Sequence, residues 1–489
     1  MPPMSSKKVS DNFLISGASY LPKFLGSVLG VYLLAMLTYS AGRIFFDFEL
    51  NYNEGWNAYH ALHTALEPIR NLRPLNYPPL SFSLLGLISK MGIDVIKAGR
   101  LICFGSFLTS TLFFLLVMRQ MAVSKSGQIA GLFAALCLFL IQDPAANYIG
   151  INDPQFFSLT FLMAAFWIYV TFKESLVSWV LILSALAVGL SIKHNTLSVP
   201  LTILVVEIFI KKKSPLKALS AALGFSLTLL LLWRLSMGEF FFQNFFLPRQ
   251  IALGQTVWKL TSFFSGFLSL LIIALGVSFA SFRSQKLPAL SIFLWISCGL
   301  GLFFSLGEGV SINVFFELFF AIGLMAGIFW DKLASWHQSR PHYALVIPCL
   351  CLALFSETMS RAYRINVLNQ KGLWKTLEAR AAEHEHHLVF FADKPGAKLC
   401  ESLYLCFRLG EPLRIDPFLS RSLTENHAVT EEQAKEVFSK QKIQWVGLDS
   451  PIGEETPGMT RFSRSIRKAV QEEFSLQYHD QNLAIYRRL

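Results

Sequence analysis

Charge is what this sequence has least of. Only 15% of its 489 residues are Asp, Glu, Lys or Arg, against about a quarter in an ordinary soluble domain. With 53% hydrophobic residues and a mean hydropathy of +0.47, that scarcity excludes a conventional water-soluble globule. A GxxxxGK[ST] phosphate loop is missing too, so nothing signals an ATP-driven pump. Cysteines are few. Five of the seven (Cys103, Cys137, Cys298, Cys349, Cys351) lie in apolar runs, where a thiol acts as a small hydrophobe. The other two, Cys400 and Cys406, fall in one expected helix, about 240° apart around its axis, a placement that forbids a bridge between them. There is no internal repeat and no low-complexity tract.

What is present is a series of apolar runs, most of them long enough to cross a ~30 Å hydrocarbon layer as helices. Eleven are expected: 21–46, 98–118, 127–141, 156–172, 176–192, 196–210, 216–232, 263–282, 287–306, 314–330 and 343–355. The run 80–88 ends at Ser89-Lys90, is too short to cross, and reads as a helix lying in the interface. Residues 1–12 are polar with Lys7 and Lys8, and no small-residue cleavage site follows, so the first run reads as uncleaved. Basic clusters then alternate with the spans. Lys7, Lys8 and Lys23, Arg119 and Lys125, Lys173, Lys211–Lys213, Arg283 and Lys286, and Lys332 and Arg340 all fall on one side, which the positive-inside rule makes cytoplasmic. The net charge of +11 is thereby a topology signal, not a nucleic-acid one. The expectation is a multi-pass protein of a plasma or inner membrane, with a cytoplasmic N-terminus.

On the outer side lies the densest polar stretch, loop 47–79. It packs Asp47, Glu49 and Glu54 among aromatics and amides, and ends Tyr77-Pro78-Pro79. Four outer loops contribute Glu54, Asn152-Asp153, Lys193-His194 and Arg249, and a shorter fifth carries Glu308 and Asn313. Carboxylates and cations at a water–lipid boundary suit acid–base work on a hydroxyl and binding of an anionic leaving group. Plainer readings stand beside these. Asp153 before Pro154 makes a helix N-cap, Lys193 can snorkel, and Arg234, Arg249 and Lys259 can be solvated. Glu207 reads as structural, four residues before Lys211. The run Glu383-His384-Glu385-His386-His387 has metal-ligand residue types at an expected helix–strand junction, more in keeping with a solvated loop. Glu317 is an ionisable residue inside a span, with Asn313 one turn before it on the same face.

From Glu357 the composition turns ordinary. Short strands are expected at 387–392, 443–448 and 483–486, and helices at 397–409, 431–440 and 461–473. The chain thus divides into a transmembrane part, 1–356, and an extracytoplasmic soluble α/β domain, 357–489.

The sequence resembles the GT-C glycosyltransferases of the family that includes protein O-mannosyltransferases and the lipid A aminoarabinose transferase. The matching stretches are Asn53-Glu54-Gly-Trp-Asn-Ala-Tyr, Tyr77-Pro-Pro-Leu, Ala98-Gly-Arg100-Leu, Asn152-Asp153-Pro, Gly189-Leu-Ser-Ile-Lys193-His194-Asn and Asn313-Val-Phe-Phe-Glu317. The resemblance implies a GT-C fold and transfer of a sugar, with inversion, from a polyprenyl-phosphate donor. The acceptor is a lipid, glycan or protein on the outer face. It implies Glu54 as first choice of base and Asp153 as second, since Asn53-Glu54 stands where the family carries an acidic pair. Lys193 and Arg249 would hold the donor phosphate. Asn53, Tyr77, Arg100, Asn152, His194, Asn313 and Glu317 would line the site. Some relatives use a divalent metal ion, and the sequence leaves that open. Two rival readings are a flippase or transporter of a lipid-linked saccharide and a non-catalytic scaffold of the same fold.

Overall fold

A computed structural model describes residues 6–66, 77–141, 145–237, 251, 257, 260–261, 268–282, 288–307, 310–339, 346–364, 370–417, 431–454 and 461–489. Arg249, Lys259 and Glu308 lie outside these. Helices come first: α1 (Ser6–Gly42), α2 (Asn53–Leu66), α3 (Leu80–Lys90), α4 (Val95–Gln120), α5 (Lys125–Leu140), α6 (Gln155–Thr171) and α7 (Leu176–Ile192). There follow α8 (Ser198–Val205), α9 (Pro215–Met237), α10 (Leu268–Phe282), α11 (Pro288–Ser305), α12 (Phe316–Ser339), α13 (Val346–Arg364) and α14 (Gln370–Ala392). The remainder mixes strands and helices: β1 (Ala397–Cys400), α15 (Leu403–Arg408), α16 (Glu431–Lys440), β2 (Ile443–Leu448), α17 (Arg464–Glu473), β3 (Phe474–His479) and β4 (Ala484–Arg488).

Five helical stretches are long and apolar enough to cross a membrane: Leu21–Phe45, Val95–Gln120, Pro215–Ser236, Pro288–Ser305 and Ile312–Trp336. Six further apolar helices are shorter. The expected count of eleven spans is therefore met by five on length among the described residues. A 17-residue helix rises only about 26 Å, short of the ~30 Å core. The run at 80–88 does form a short helix, α3, as expected.

The bundle is organised around α12, most of whose apolar window is buried. It lies against α5 with almost no side chain between them. A Cβ on Gly131 would meet Gly323 O at 2.6 Å, and one on Gly327 would meet Gly127 O at 2.8 Å. Gly127 and Gly131 on one helix and Gly323 and Gly327 on the other thus form paired four-residue steps, the small-residue device of membrane helices. Phe139 packs edge-on to Phe107, Phe156, Phe316 and Phe319 within 5.5 Å, filling the space above this seam.

The first outer stretch is not all loop. Asn51 Oδ1 accepts from Asn53 N at 3.0 Å and starts α2, which carries Glu54 in its first turn. The C-terminal part forms a four-stranded sheet in the order β1-β2-β4-β3, with β1 parallel to β2 and the other pairs antiparallel. Expected elements 431–440, 443–448, 461–473 and 483–486 are found there nearly in register. Two are corrected. Residues 387–392 belong to α14, and 397–409 split into β1 and α15. That split overturns the argument against a bridge: Cys400 ends a strand, Cys406 sits in the next helix, and they form a disulfide with Cα atoms 5.6 Å apart. The Glu383–His387 run is likewise helical. Glu383, His387 and Asp480 bring their ligand-type atoms within 4.8 Å of one another. Tyr478 O–H and the Asn482 and Leu483 N–H groups also bond Asp480, while the Asn482 amide bonds Glu383. This arrangement ties α14 to the β3–β4 turn. Glu207, as expected, pairs with Lys211 at 2.8 Å, and also with Lys213 at 2.6 Å.

A disulfide persists in an oxidising compartment, so thiol accessibility checks both bond and sidedness. In intact cells, a membrane-impermeant maleimide should leave Cys400 and Cys406 unlabelled until an impermeant reductant is added, then label both. Labelling without reductant would contradict the bond. Labelling only after lysis would place this domain inside.

Candidate functional site

The site begins with a buried ion pair. Arg100 lies on α4 and Glu54 on α2, and both side chains are fully buried. Arg100 Nε donates to Glu54 Oε1 at 2.7 Å and Nη2 to Oε2 at 2.6 Å. The rest of the guanidinium serves the chain leading into α2, donating to the carbonyls of Ile44, Phe46 and Phe48. These bonds use all five guanidinium donors. Glu54 is filled as well. Oε2 accepts from Leu50 N at 2.8 Å and Oε1 from Asn152 N at 3.0 Å. A carboxylate offers about four acceptor positions, and four donors occupy them.

Asp153, the next residue along the second outer loop, is placed differently. It is buried, and its Oδ1 accepts from Gln155 N at 2.8 Å and from Lys193 Nζ at 3.3 Å. Asp153 was expected as the N-cap of α6, but Pro154 takes that position and the first bond is a turn just before the helix. The second brings together two expected site residues, 40 positions apart. No described residue donates to its Oδ2. Lys193, at the C-terminal end of α7, is completely buried, with Nζ 5.0 Å from the centre of the Tyr77 ring. It does not snorkel. Tyr77 in turn lies 6.1 Å from the His194 ring and 5.8 Å from Trp56, giving an aromatic wall on one side.

Asn313 and Glu317 sit apart from this group in their bonding. Glu317 Oε1 accepts from Ser198 N at 3.1 Å and Oε2 from Ser198 Oγ at 2.9 Å, so it caps the buried start of α8, with Asn313 in the 3₁₀ turn before it. Asn53 opens α2 and donates its backbone N–H to Asn51.

A cavity of about 20 Å³ lies between α2, α3, α4 and the start of α6. It is lined by the buried Asn57, Ser81, Gly99, Asn152 and Asp153 and by the half-buried Leu84, Ile102 and Phe157. Gly99 is needed for close approach, since a Cβ there would stand 2.0 Å from Asn152 Oδ1.

The C-terminal part closes over α2. Trp56 Nε1 donates to Asp416 at 2.7 Å and the Tyr59 hydroxyl to Glu411 O at 2.7 Å. Arg461 grips Glu49 through both terminal nitrogens, at 2.9 and 2.7 Å. A Cβ on Gly55 would come within 2.2 Å of Tyr404 N, so the disulfide-bounded segment presses directly on the helix that carries Glu54. Beneath it Glu401 is fully buried. Burial alone would raise its carboxyl, but Arg467 and the backbone N–H groups of Phe462 and Asp449 outweigh that and hold it below the usual range.

No family model matches the sequence, and neither does any curated protein. Solved structures do match. ArnT from Cupriavidus metallidurans in the apo state has a TM-score of 0.56 over 94% of this chain and 97% of that one, at 14% identity. The apo oligosaccharyltransferase of Archaeoglobus fulgidus has a TM-score of 0.52 over 95% of this chain and 74% of its own, at 11% identity. AglB from the same organism, in complex with an inhibitory peptide and a dolichol-phosphate, gives the same TM-score and coverage at 12% identity. ArnT, a lipid A aminoarabinose transferase, and the AglB oligosaccharyltransferase are both glycosyltransferases of one fold. The chain has the GT-C fold.

Of the expected site residues, Glu54, Arg100 and Asn152 are linked by hydrogen bonds, and Asp153, Lys193, Tyr77 and His194 by pairwise contacts; Arg249 is outside the described residues. Sequence reasoning missed Asn57 and Ser81. Asn57 is three residues after Glu54 on one helical face, a signal that was there to use. Ser81 carried none, since its burial depends on how α3 lies.

Removing one partner of a buried ion pair strands the other charge and costs about 3–5 kcal/mol. Glu54→Gln and Arg100→Met should therefore both lower the melting temperature of the solubilised protein markedly. Unchanged melting of Glu54→Gln with abolished activity would return Glu54 to the role of base.

Proposed function

We propose that this chain is an integral-membrane glycosyltransferase that moves a sugar, with inversion, from a polyprenyl-phosphate donor to a hydroxyl acceptor at the extracytoplasmic face. The observation that carries the reading is Asp153: buried, engaged at Oδ1 by Lys193 and a backbone N–H, with no donor to Oδ2 among the described residues, and lining a small cavity. A general base must be able to receive a proton in hydrogen-bond reach of the reacting hydroxyl. Glu54, with four donors on two oxygens, has no position left for one. Its role here is to hold Asn152 N, and so the residue before Asp153, in place.

In the proposed step the acceptor hydroxyl loses its proton to Asp153 as its oxygen bonds the anomeric carbon. The bond from that carbon to the phosphate oxygen breaks, and the electron pair leaves on the phosphate. Lys193 supplies positive charge beside Asp153, stabilising the anionic leaving group. Arg249 is proposed as a second phosphate contact. Attack opposite the leaving group gives inversion without a covalent sugar–enzyme intermediate.

Sidedness is supported by the disulfide between Cys400 and Cys406 and by the lysines at 211–213, which fit opposite faces of the membrane. The donor and acceptor class is supported by the likeness to ArnT, and to AglB seen with dolichol-phosphate.

The test is transfer of radiolabel from polyprenyl-phosphate sugars into a membrane-lipid extract by the full chain in nanodiscs. Asp153→Asn keeps an acceptor for Gln155 N and should cut turnover per folded molecule about 10²–10⁴-fold, with a lowered melting temperature because Lys193 is left buried beside a neutral partner. Lys193→Met should raise KM for the donor. Full turnover by Asp153→Asn would remove Asp153 as base, and no transfer by the wild-type chain would favour the scaffold reading.

A further inference from the structure

The cavity beside Asp153 has an unusual polar end. Three of the side chains lining it carry buried polar atoms with no hydrogen-bond partner among the described residues: Asn57 Oδ1, Ser81 Oγ and Asn152 Nδ2. Asn57 and Asn152 are 2% exposed and Ser81 5%, so bulk water does not serve them. Leaving such atoms unpaired is costly, and the three residues line one small volume together. From this geometry we infer that the cavity is a subsite for a neutral hydroxyl borne on a hydrocarbon chain, entering sideways from the lipid. It is, on the function proposed above, the acceptor's hydroxyl.

The chemistry of the three atoms selects the occupant. Asn57 Oδ1 accepts, Asn152 Nδ2 donates, and Ser81 Oγ does either. A hydroxyl both donates and accepts, and satisfies such a set. A phosphate only accepts, and would sit against the Asp153 carboxylate with no cation lining the cavity. Lys193, the cation of the site, is not among the residues that line the cavity; its Nζ meets Asp153 Oδ1 and lies over the Tyr77 ring. The volume of about 20 Å³ holds one small polar group. Beyond it, Leu84, Ile102 and Phe157 are apolar and half-buried, and Leu87 and Leu101 on the adjoining turns are exposed. That wall accepts a methylene chain and offers nothing to a peptide backbone or a glycan. The acceptor class that fits is therefore an alcohol-bearing lipid.

The test uses binding, which needs no turnover and so stands apart from the transferase assay. The full chain in nanodiscs is photolabelled with three diazirine-bearing C12 probes: 1-dodecanol, dodecyl phosphate and dodecane. The alcohol should label the peptides that contain Leu84, Ile102 or Phe157, with competition by unlabelled 1-dodecanol, and several-fold above the other two. Ser81→Ala, a near-isosteric change, should lower alcohol labelling about three- to tenfold and leave dodecane labelling unchanged. Equal labelling by all three probes would reduce the site to an apolar crevice around a fixed water. Preference for dodecyl phosphate would make it a phosphate site. Unchanged alcohol labelling in Ser81→Ala would remove the polar end from recognition. Any of the three overturns the inference. If the alcohol preference holds while no sugar is ever transferred, the subsite stands and the transferase reading falls.

Discussion

The site depends on the Glu54–Arg100 pair. Burying two full charges is expensive, and a buried pair often gains no more than a well-packed apolar substitute would. Its consequence here is register rather than net stability. One guanidinium draws the carbonyls of Ile44, Phe46 and Phe48 around itself, and one carboxylate fixes Leu50 N and Asn152 N. The end of α1, the start of α2, the stretch between them and the loop before α6 are thus set by nine bonding positions on two side chains. Arg43 adds a parallel clamp, donating to the carbonyls of Ala146 and Ile149 in the second loop. Asp153 has its position because its neighbour is held.

The C-terminal part, with a sheet and core of its own, also packs onto α2. Its contacts fall on residues next to Glu54: Glu49, Gly55, Trp56 and Tyr59. The disulfide closes the segment 400–406 that lies on Gly55, so the backbone pressing on α2 cannot drift far. Rigid support on two sides is what a site needs if a hydroxyl and a phosphate are to meet one carboxylate in a fixed geometry.

Much of this was legible in the residues. The helices of the bundle follow the apolar runs closely, because hydrophobicity over a long window is a strong signal. Three things were not legible, each for a physical reason. The helix in the first outer stretch is short and polar at its start, and its stability comes from Arg100 and the cover above it. Cys400 and Cys406 were misread because six residues of mixed pattern fit a helix as well as a strand–turn–helix, and tertiary pairing of β1 with β2 decided the matter. The division of labour between Glu54 and Asp153 was out of reach, since residue type cannot tell a saturated carboxylate from one with an open oxygen.

The central claim is that Asp153, and not Glu54, meets the reacting groups. A cryo-EM map of the full chain in nanodiscs with a non-transferable polyprenyl-phosphonate sugar tests it most directly. The account predicts the phosphonate against Lys193, the anomeric carbon facing Asp153, and the Glu54–Arg100 pair intact. A sugar bound with Glu54 released from Arg100 and turned toward the anomeric carbon would contradict it.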